Sequence, residues 1–242
     1  MNKEFHQWFS NALNKEMPIE IYGHFGFALL LIPTASADYL EYERFGLIDA
    51  LGELINGGKV KVFSINSMNK ESWMNMEMEG AHKAIRHNQF NEYVFNEVVP
   101  FIKQNTSSDT PIVICGASFG ALHAMNIFLK HPDMFNGVIS MSGVYDLMEY
   151  THGYYDDQVY FNSPIHYIPN LNDHHTLQEI RKGKIIIATG EGAHEDPEAS
   201  KRFSGVLNTK SIPHDLEIWG KDMRHDWPTW KKMLPYFIES RF

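Results

Sequence analysis

A chain of 242 residues, 43% hydrophobic and 21% charged, has the composition of an ordinary globular protein and the length of one large α/β domain spanning residues 1–242. A formal net charge of −9 with no offsetting basic block argues against a nucleic-acid partner, while a small molecule of either sign stays open. The lone cysteine, Cys115, rules out an intrachain disulfide; set in an apolar run, it reads as a buried, inert thiol rather than a nucleophile.

The first residues, Met1 to Trp8, lack the apolar core of a secretory signal, and the longest apolar stretch, Phe25 to Pro33, is too short to cross a bilayer. The expectation is a cytoplasmic protein with no membrane partner. From Phe5 to Gly23, the pieces Gln7-Trp8-Phe9 and Ile19-Glu20-Ile21-Tyr22 suggest a hairpin at a sheet edge, with a helix over 2–14 as the competing reading. Phe27 to Ile32 is continuously apolar, as a strand buried on both faces should be. Residues 39–56 read as a helix stopped by Gly57-Gly58, followed by a strand from Val60 to Ile65. A long helical stretch over 82–104 should break near Pro100.

The strand-like Pro111-Ile112-Val113-Ile114 then leads into Cys115-Gly116-Ala117-Ser118-Phe119-Gly120, and a helical segment from Ala121 to Lys130 follows, ending at His131-Pro132. Further strands are expected over Gly137–Met141, Lys184–Thr189 and Leu216–Trp219, with helices over 197–208 and 228–242. Short β-like runs alternating with longer helical ones indicate a mostly parallel sheet flanked by helices, of about seven strands. Between Val144 and Arg181 the periodicity fades, and an irregular stretch of that length usually covers or lines a site.

Gly116-Ala117-Ser118-Phe119-Gly120 fits G-x-S-x-G in a strand–turn–helix setting, where the sharp turn pushes a serine hydroxyl out at the end of the sheet. Such a serine needs a base, and the base needs an acid to hold its tautomer; in this fold type the chain order is serine, carboxylate, histidine. Of 13 histidines, His225 has the right position, after the Leu216–Trp219 strand and before the last helix. His123 lies within the helix after the serine and should pack or cap, His214 precedes a strand at the wrong end of the sheet, and His82, His87, His174 and His175 lack a metal-ligand spacing. No metal or cofactor is expected.

For the acid, Glu191, Glu195 and Asp196 compete in the loop Gly190–Pro197. Asp196 is the preferred choice and Glu195 the second, although an Asp before Pro197 is also a good N-cap and Glu195 also suits a first helical turn. Asp226 is better placed to start the last helix. One oxyanion donor should be the N–H of Phe119; the other should come from the loop Pro33-Thr34-Ala35-Ser36, where Pro33 has no N–H and Ala35 is preferred over Thr34. The Met-rich stretch Ser67–Gly80 follows a strand end, and its soft side chains, with Trp73 and Met74 foremost, suit contact with an acyl group.

Taken with Leu31-Ile32-Pro33-Thr34, Glu71-Ser72-Trp73, His131-Pro132-Asp133-Met134-Phe135, Ser142-Gly143-Val144-Tyr145-Asp146, Phe161-Asn162-Ser163-Pro164 and His225-Asp226-Trp227-Pro228-Thr229-Trp230, the elbow motif makes the chain resemble the putative-esterase family of the α/β-hydrolases, which includes esterase D-type enzymes, feruloyl esterases and mycolyltransferases. The resemblance implies an α/β-hydrolase fold: a three-layer αβα sandwich whose eight-stranded sheet has only its second strand antiparallel. It implies a nucleophile at Ser118, a base at His225, an acid in Gly190–Pro197, and a cofactor-free serine carboxylic ester hydrolase acting on small esters through an acyl-enzyme. Acyl transfer or thioester hydrolysis could use the same residues, and a non-catalytic binding module on this scaffold is the reading from another class. The chain departs from many relatives in lacking an HGGG-type oxyanion motif and in carrying Phe119 where others have Met, Leu or Gln.

Overall fold

The computed structural model describes all 242 residues. Its frame is one eight-stranded sheet of β1 (Lys3–Ser10), β2 (Lys15–Tyr22), β3 (Phe27–Ile32), β4 (Val60–Ile65), β5 (Ile112–Ala117), β6 (Gly137–Met141), β7 (Lys184–Thr189) and β8 (Asp215–Ile218), in the spatial order β1-β2-β4-β3-β5-β6-β7-β8. The strands β1 and β2 form the edge hairpin, and β2 is antiparallel to both its neighbours, so it alone runs against the rest. All other neighbours pair in parallel.

Helices cover both faces of the sheet, which is why the central strands are continuously apolar rather than alternating. Successive residues of one strand enter different cores. Leu30, Ile32, Ile112 and Ile114 join Phe90, Val94, Ile127 and Phe203 on one face; Leu29, Leu31, Val113 and Cys115 join Leu47, Ile55, Met233 and Phe237 on the other. Cys115 is fully buried, and burial pushes its thiol far above the usual range, in keeping with an inert side chain.

Two helical expectations change in detail. The stretch 39–56 is three short helices, Glu41–Arg44, Leu47–Ala50 and Gly52–Asn56, because Gly46 adopts φ 74° and turns the chain between the first two. The stretch 82–104 does not break at Pro100. A helix over Gly80–Tyr93 passes through a π-helical turn, Val94–Val98, into Val99–Asn105, so Pro100 lies inside a continuous helix, just after the widened turn that accommodates its ring and missing N–H. The irregular stretch carries short helical turns, Met148–Thr151, Asp157–Tyr160 and Pro164–Tyr167, and then a longer helix, His174–Lys182. No helix is long and apolar enough to cross a membrane.

The strand order changes direction around β3 and β5, and the crevice at the carboxyl ends of such strands is where open α/β sheets place ligands. The end of β3 runs into Pro33–Ser36, the end of β5 into Ser118, and the end of β7 into the loop of competing carboxylates.

Candidate active site

Ser118 sits between β5 and the helix Phe119–Lys130 at φ 56° and ψ −125°, a strained conformation for a residue with a side chain. The flanking glycines make the turn possible. A Cβ on Gly116 would lie 2.2 Å from the carbonyl oxygen of Gly120, and one on Gly120 would lie 2.5 Å from the carbonyl oxygens of Ile32 and Pro33. A backbone bond from Ser118 N–H to the carbonyl of Met141, 2.9 Å long, ties the turn to the neighbouring strand.

His225 meets this serine, with 2.9 Å between Nε2 and Ser118 Oγ. Its other nitrogen, Nδ1, lies 3.4 Å from Oε2 of Glu195, whose side chain is 1% exposed. Asp196, the preferred acid of the sequence reading, is placed elsewhere: its side chain is 64% exposed, accepts the N–H of Ala199 at 3.0 Å, and caps the helix Pro197–Thr209. The carboxylate that the structure brings to His225 is therefore Glu195, the second choice of the sequence reading. Capping is the stronger local demand on Asp196, because its short side chain reaches the orphan amide three residues on. Asp226 similarly caps the last helix, Trp227–Arg241, and Glu191 is exposed.

Glu195 reaches His225 because two loops are laced together. Gly192 N–H donates to the carbonyl of Met223 at 2.8 Å, and His225 N–H to the carbonyl of Ala193 at 3.0 Å. A Cβ on Gly190 or Gly192 would stand 2.1 or 2.4 Å from the Met223 oxygen, so only glycines allow the approach.

On the other side of Ser118, Phe119, Trp73, Ala84, Leu122, Leu147 and Val159 form a small apolar cluster, with Ala35, Met74, Tyr150 and Tyr154 packed against it. The site expectations on this side, Phe119, Ala35, Trp73 and Met74, are thus gathered in one place. The N–H and hydroxyl of Thr34 both donate to the buried Glu41, at 2.9 and 2.5 Å, which leaves Ala35 as the next amide in the loop. Trp73 differs from its expected role as a substrate contact. It is 1% exposed and its indole N–H donates to His87 Nδ1 at 3.0 Å, so it supports the cluster from within, while Met74 is half-buried at its edge. His123 packs beneath Phe119 and bonds Asn69 Oδ1 at 2.8 Å; burial pushes its pKa down to about 3. No group of three or more His, Cys, Asp or Glu side chains converges at a metal-binding spacing.

A family model described as "Putative esterase" matches residues 56–238. The chain belongs to this esterase family. No curated protein matches it. Among solved structures, a ferulic acid esterase superposes with a TM-score of 0.76 at 16% identity, covering 98% of this chain and 96% of the other. An S-formylglutathione hydrolase from Agrobacterium tumefaciens gives 0.74 at 14% identity, covering 98% and 94%. One from Staphylococcus aureus gives 0.70 at 16%, covering 98% and 97%. At these identities the superpositions establish the shared α/β-hydrolase fold, and the family match makes the protein an esterase.

Three residues around the esterase's Glu195 escaped the sequence reading. Ser142 Oγ donates to Glu195 Oε1 at 2.6 Å while accepting the indole N–H of Trp230 at 2.9 Å, and Thr189 Oγ1 donates to Oε2 at 3.0 Å. Burial alone would raise the Glu195 pKa, but the bonds from His225, Ser142 and Thr189 outweigh it and hold the carboxyl below the usual glutamate range. The signal for Ser142 was present in the Ser142-Gly143-Val144-Tyr145-Asp146 motif; its φ of 50° marks a residue held in place by tertiary contacts.

Proposed function

We propose that the esterase is a serine carboxylic ester hydrolase working through Ser118, His225 and Glu195. The observation that carries this reading is the continuous path from Ser118 Oγ to His225 Nε2 at 2.9 Å and from Nδ1 to the buried Glu195 at 3.4 Å. Ser118 Oγ attacks the acyl carbon as His225 Nε2 takes its proton, and the N–H groups of Phe119 and Ala35 receive the oxyanion. Glu195 stays ionised, fixes the Nδ1–H tautomer and stabilises the imidazolium that forms. Collapse of the intermediate breaks the bond to the alcohol oxygen, which takes the proton from Nε2 and leaves an ester on Ser118. Water, deprotonated by the same nitrogen, then releases the acid.

The alcohol must depart past His225, which gives it the proton. A cleft of about 240 Å³ lies there, lined among others by Ser142, Asp146, His194, Arg202 and His225. The acyl group then lies on the Phe119 side, where Met74 and Tyr150 edge the apolar cluster. Small uncharged acyl groups such as acetyl and butyryl need nothing further to be held there, and the partner is a small-molecule ester. The test is a p-nitrophenyl acetate assay paired with fluorophosphonate labelling. Turnover with a single label on Ser118 is expected; intact protein that neither turns over the ester nor takes the label would end the serine-hydrolase reading.

A further inference from the structure

A second cleft, of about 510 Å³, opens beyond the apolar cluster, between the stretch that starts the helix Gly80–Tyr93 and the turn Thr151–Tyr154. Its lining includes Met76, Met78, Glu79, Lys83, His152 and Tyr154. Lys83 is the unusual member. The residue is 1% exposed, yet its ammonium group makes no hydrogen bond and no ion pair; its bonds are those of the main chain, whose N–H donates to the Glu79 carbonyl at 3.1 Å and whose carbonyl accepts the Ser72 hydroxyl at 2.7 Å. A lysine whose side chain is buried to this degree is rare without a partner, and the part of Lys83 that meets the cleft is its unpaired end. Desolvation lowers its pKa, and no neighbouring carboxylate, Glu79 included, acts to raise it.

The cleft is built rather than incidental. Tyr154 lies directly on Gly80, where a Cβ would stand 2.4 Å from the tyrosine Cβ, so a glycine at the helix start lets the wall close down. The Tyr154 hydroxyl is fixed to Asp156 at 2.7 Å. The same Tyr154 packs against the cluster containing Phe119, the residue after Ser118, and Ala84, the residue after Lys83. The apolar surface beside the serine and the cleft holding the unpaired cation therefore share a wall.

We propose that Lys83 binds a carboxylate at the far end of the acyl chain, so that the enzyme favours half-esters of dicarboxylic acids, with the ester carbonyl at Ser118 and the free acid at Lys83. This rests on the esterase mechanism above, which puts the alcohol on the His225 side and the acyl chain on this one. A single ammonium without an arginine fork suits a monoanionic carboxylate better than a phosphate, which calls for more donors. The methylene chain between the two ends would lie over Met74, Tyr150 and Tyr154, and the carboxylate would supply the counter-charge that the fold leaves out.

The decisive comparison is mono-p-nitrophenyl adipate against p-nitrophenyl hexanoate, two acyl chains of equal length of which one ends in a carboxylate. Wild type should favour the adipate, and Lys83→Gln should lower the ratio of the two kcat/KM values about tenfold, mainly through KM. Lys83→Arg should keep most of the preference and Lys83→Glu should invert it. Titration calorimetry of monomethyl adipate into the Ser118→Ala protein, with and without Lys83→Gln, reads the site without turnover: binding with lysine and a roughly tenfold weaker Kd without it are expected. An unchanged ratio, or equal Kd values, overturns the proposal. If neither ester is cleaved, the esterase mechanism falls and the calorimetric pair alone decides the cation site. Lys83→Met serves as the folding control and should leave Tm no lower than that of wild type, since the ammonium has no partner to lose.

Discussion

The two sides of Ser118 are built on opposite plans. On the His225 side the polar groups form an unbroken chain: His225 has Ser118 and Glu195, Glu195 has Ser142 and Thr189, and Ser142 has Trp230. On the Phe119 side an apolar cluster is backed by the buried histidines His87 and His123, and the charged residue lining the neighbouring cleft from a buried position, Lys83, is unpaired. The difference matches what each side is asked to do. In the proposed mechanism a proton moves along fixed atoms on the first, where misplacement by an ångström is costly, and the hydrogen bonds there are complete before substrate arrives. In the proposed reading the second accepts the acyl part of the substrate, which fits an open surface and a cation without a partner.

The sharpest test of the shared centre is Ser118→Ala, which should lower kcat by about a millionfold, with Tm within a few degrees of wild type, measured on p-nitrophenyl acetate. Next is Glu195→Gln, which keeps the shape of the acid but presents Nδ1 with the wrong tautomer partner; a loss of about 10⁴-fold in kcat is expected. The same variant carries a stability signature. Because the folded pKa of Glu195 lies below the usual glutamate range, its ionised form stabilises the native state above that range, and this contribution fades as the pH falls through the folded value. The Tm of wild type should therefore approach that of Glu195→Gln on acidification below the ordinary glutamate range. A constant Tm difference from neutral to strongly acidic pH would show that Glu195 is not held by this network.

On the opposite side the expected damage is to folding. Trp73→Ala empties the centre of the small cluster and strands His87 Nδ1, so a loss of about 3–5 kcal/mol is expected in denaturant unfolding. If stability holds while KM for neutral esters rises sharply, Trp73 contacts substrate after all.

Much of this architecture can be read from residue pattern. The doubly covered strands appear as unbroken apolar runs such as Phe27–Ile32, and Ser118 and His225 occupy positions relative to strand ends that few other residues share. What the pattern does not carry is any outcome decided between loops. Glu195 and Asp196 are neighbours with the same charge in the same turn, and local chemistry gives each a good capping role. The choice is made by Gly190 and Gly192 approaching Met223, more than thirty positions along the chain, which pulls the turn against His225 with Glu195 facing in. Ser142 is hidden for the same reason, since its partners Glu195 and Trp230 come from two other segments. Gly46 splits 39–56 through a local φ of 74°, which its sequence permits but does not compel.

The smallest effect separates the two neighbouring carboxylates. Asp196 lines the cleft beside His225, but its hydrogen bond goes to Ala199 N–H and its only ionic neighbour is Arg202 at 3.7 Å, both near the surface. Asp196→Ala should therefore cost about 1 kcal/mol of stability, the ordinary price of a lost N-cap, and leave kcat on p-nitrophenyl acetate within about threefold of wild type. Asp196→Asn retains a capping oxygen without the charge and should recover most of that stability. The pair of measurements distinguishes a cap from an acid: a triad acid would lose activity in both variants, whereas a cap loses stability in only one. A fall in kcat of a hundredfold or more in Asp196→Asn, with Tm preserved, would return the acid role to Asp196 and require the loop to turn over in solution.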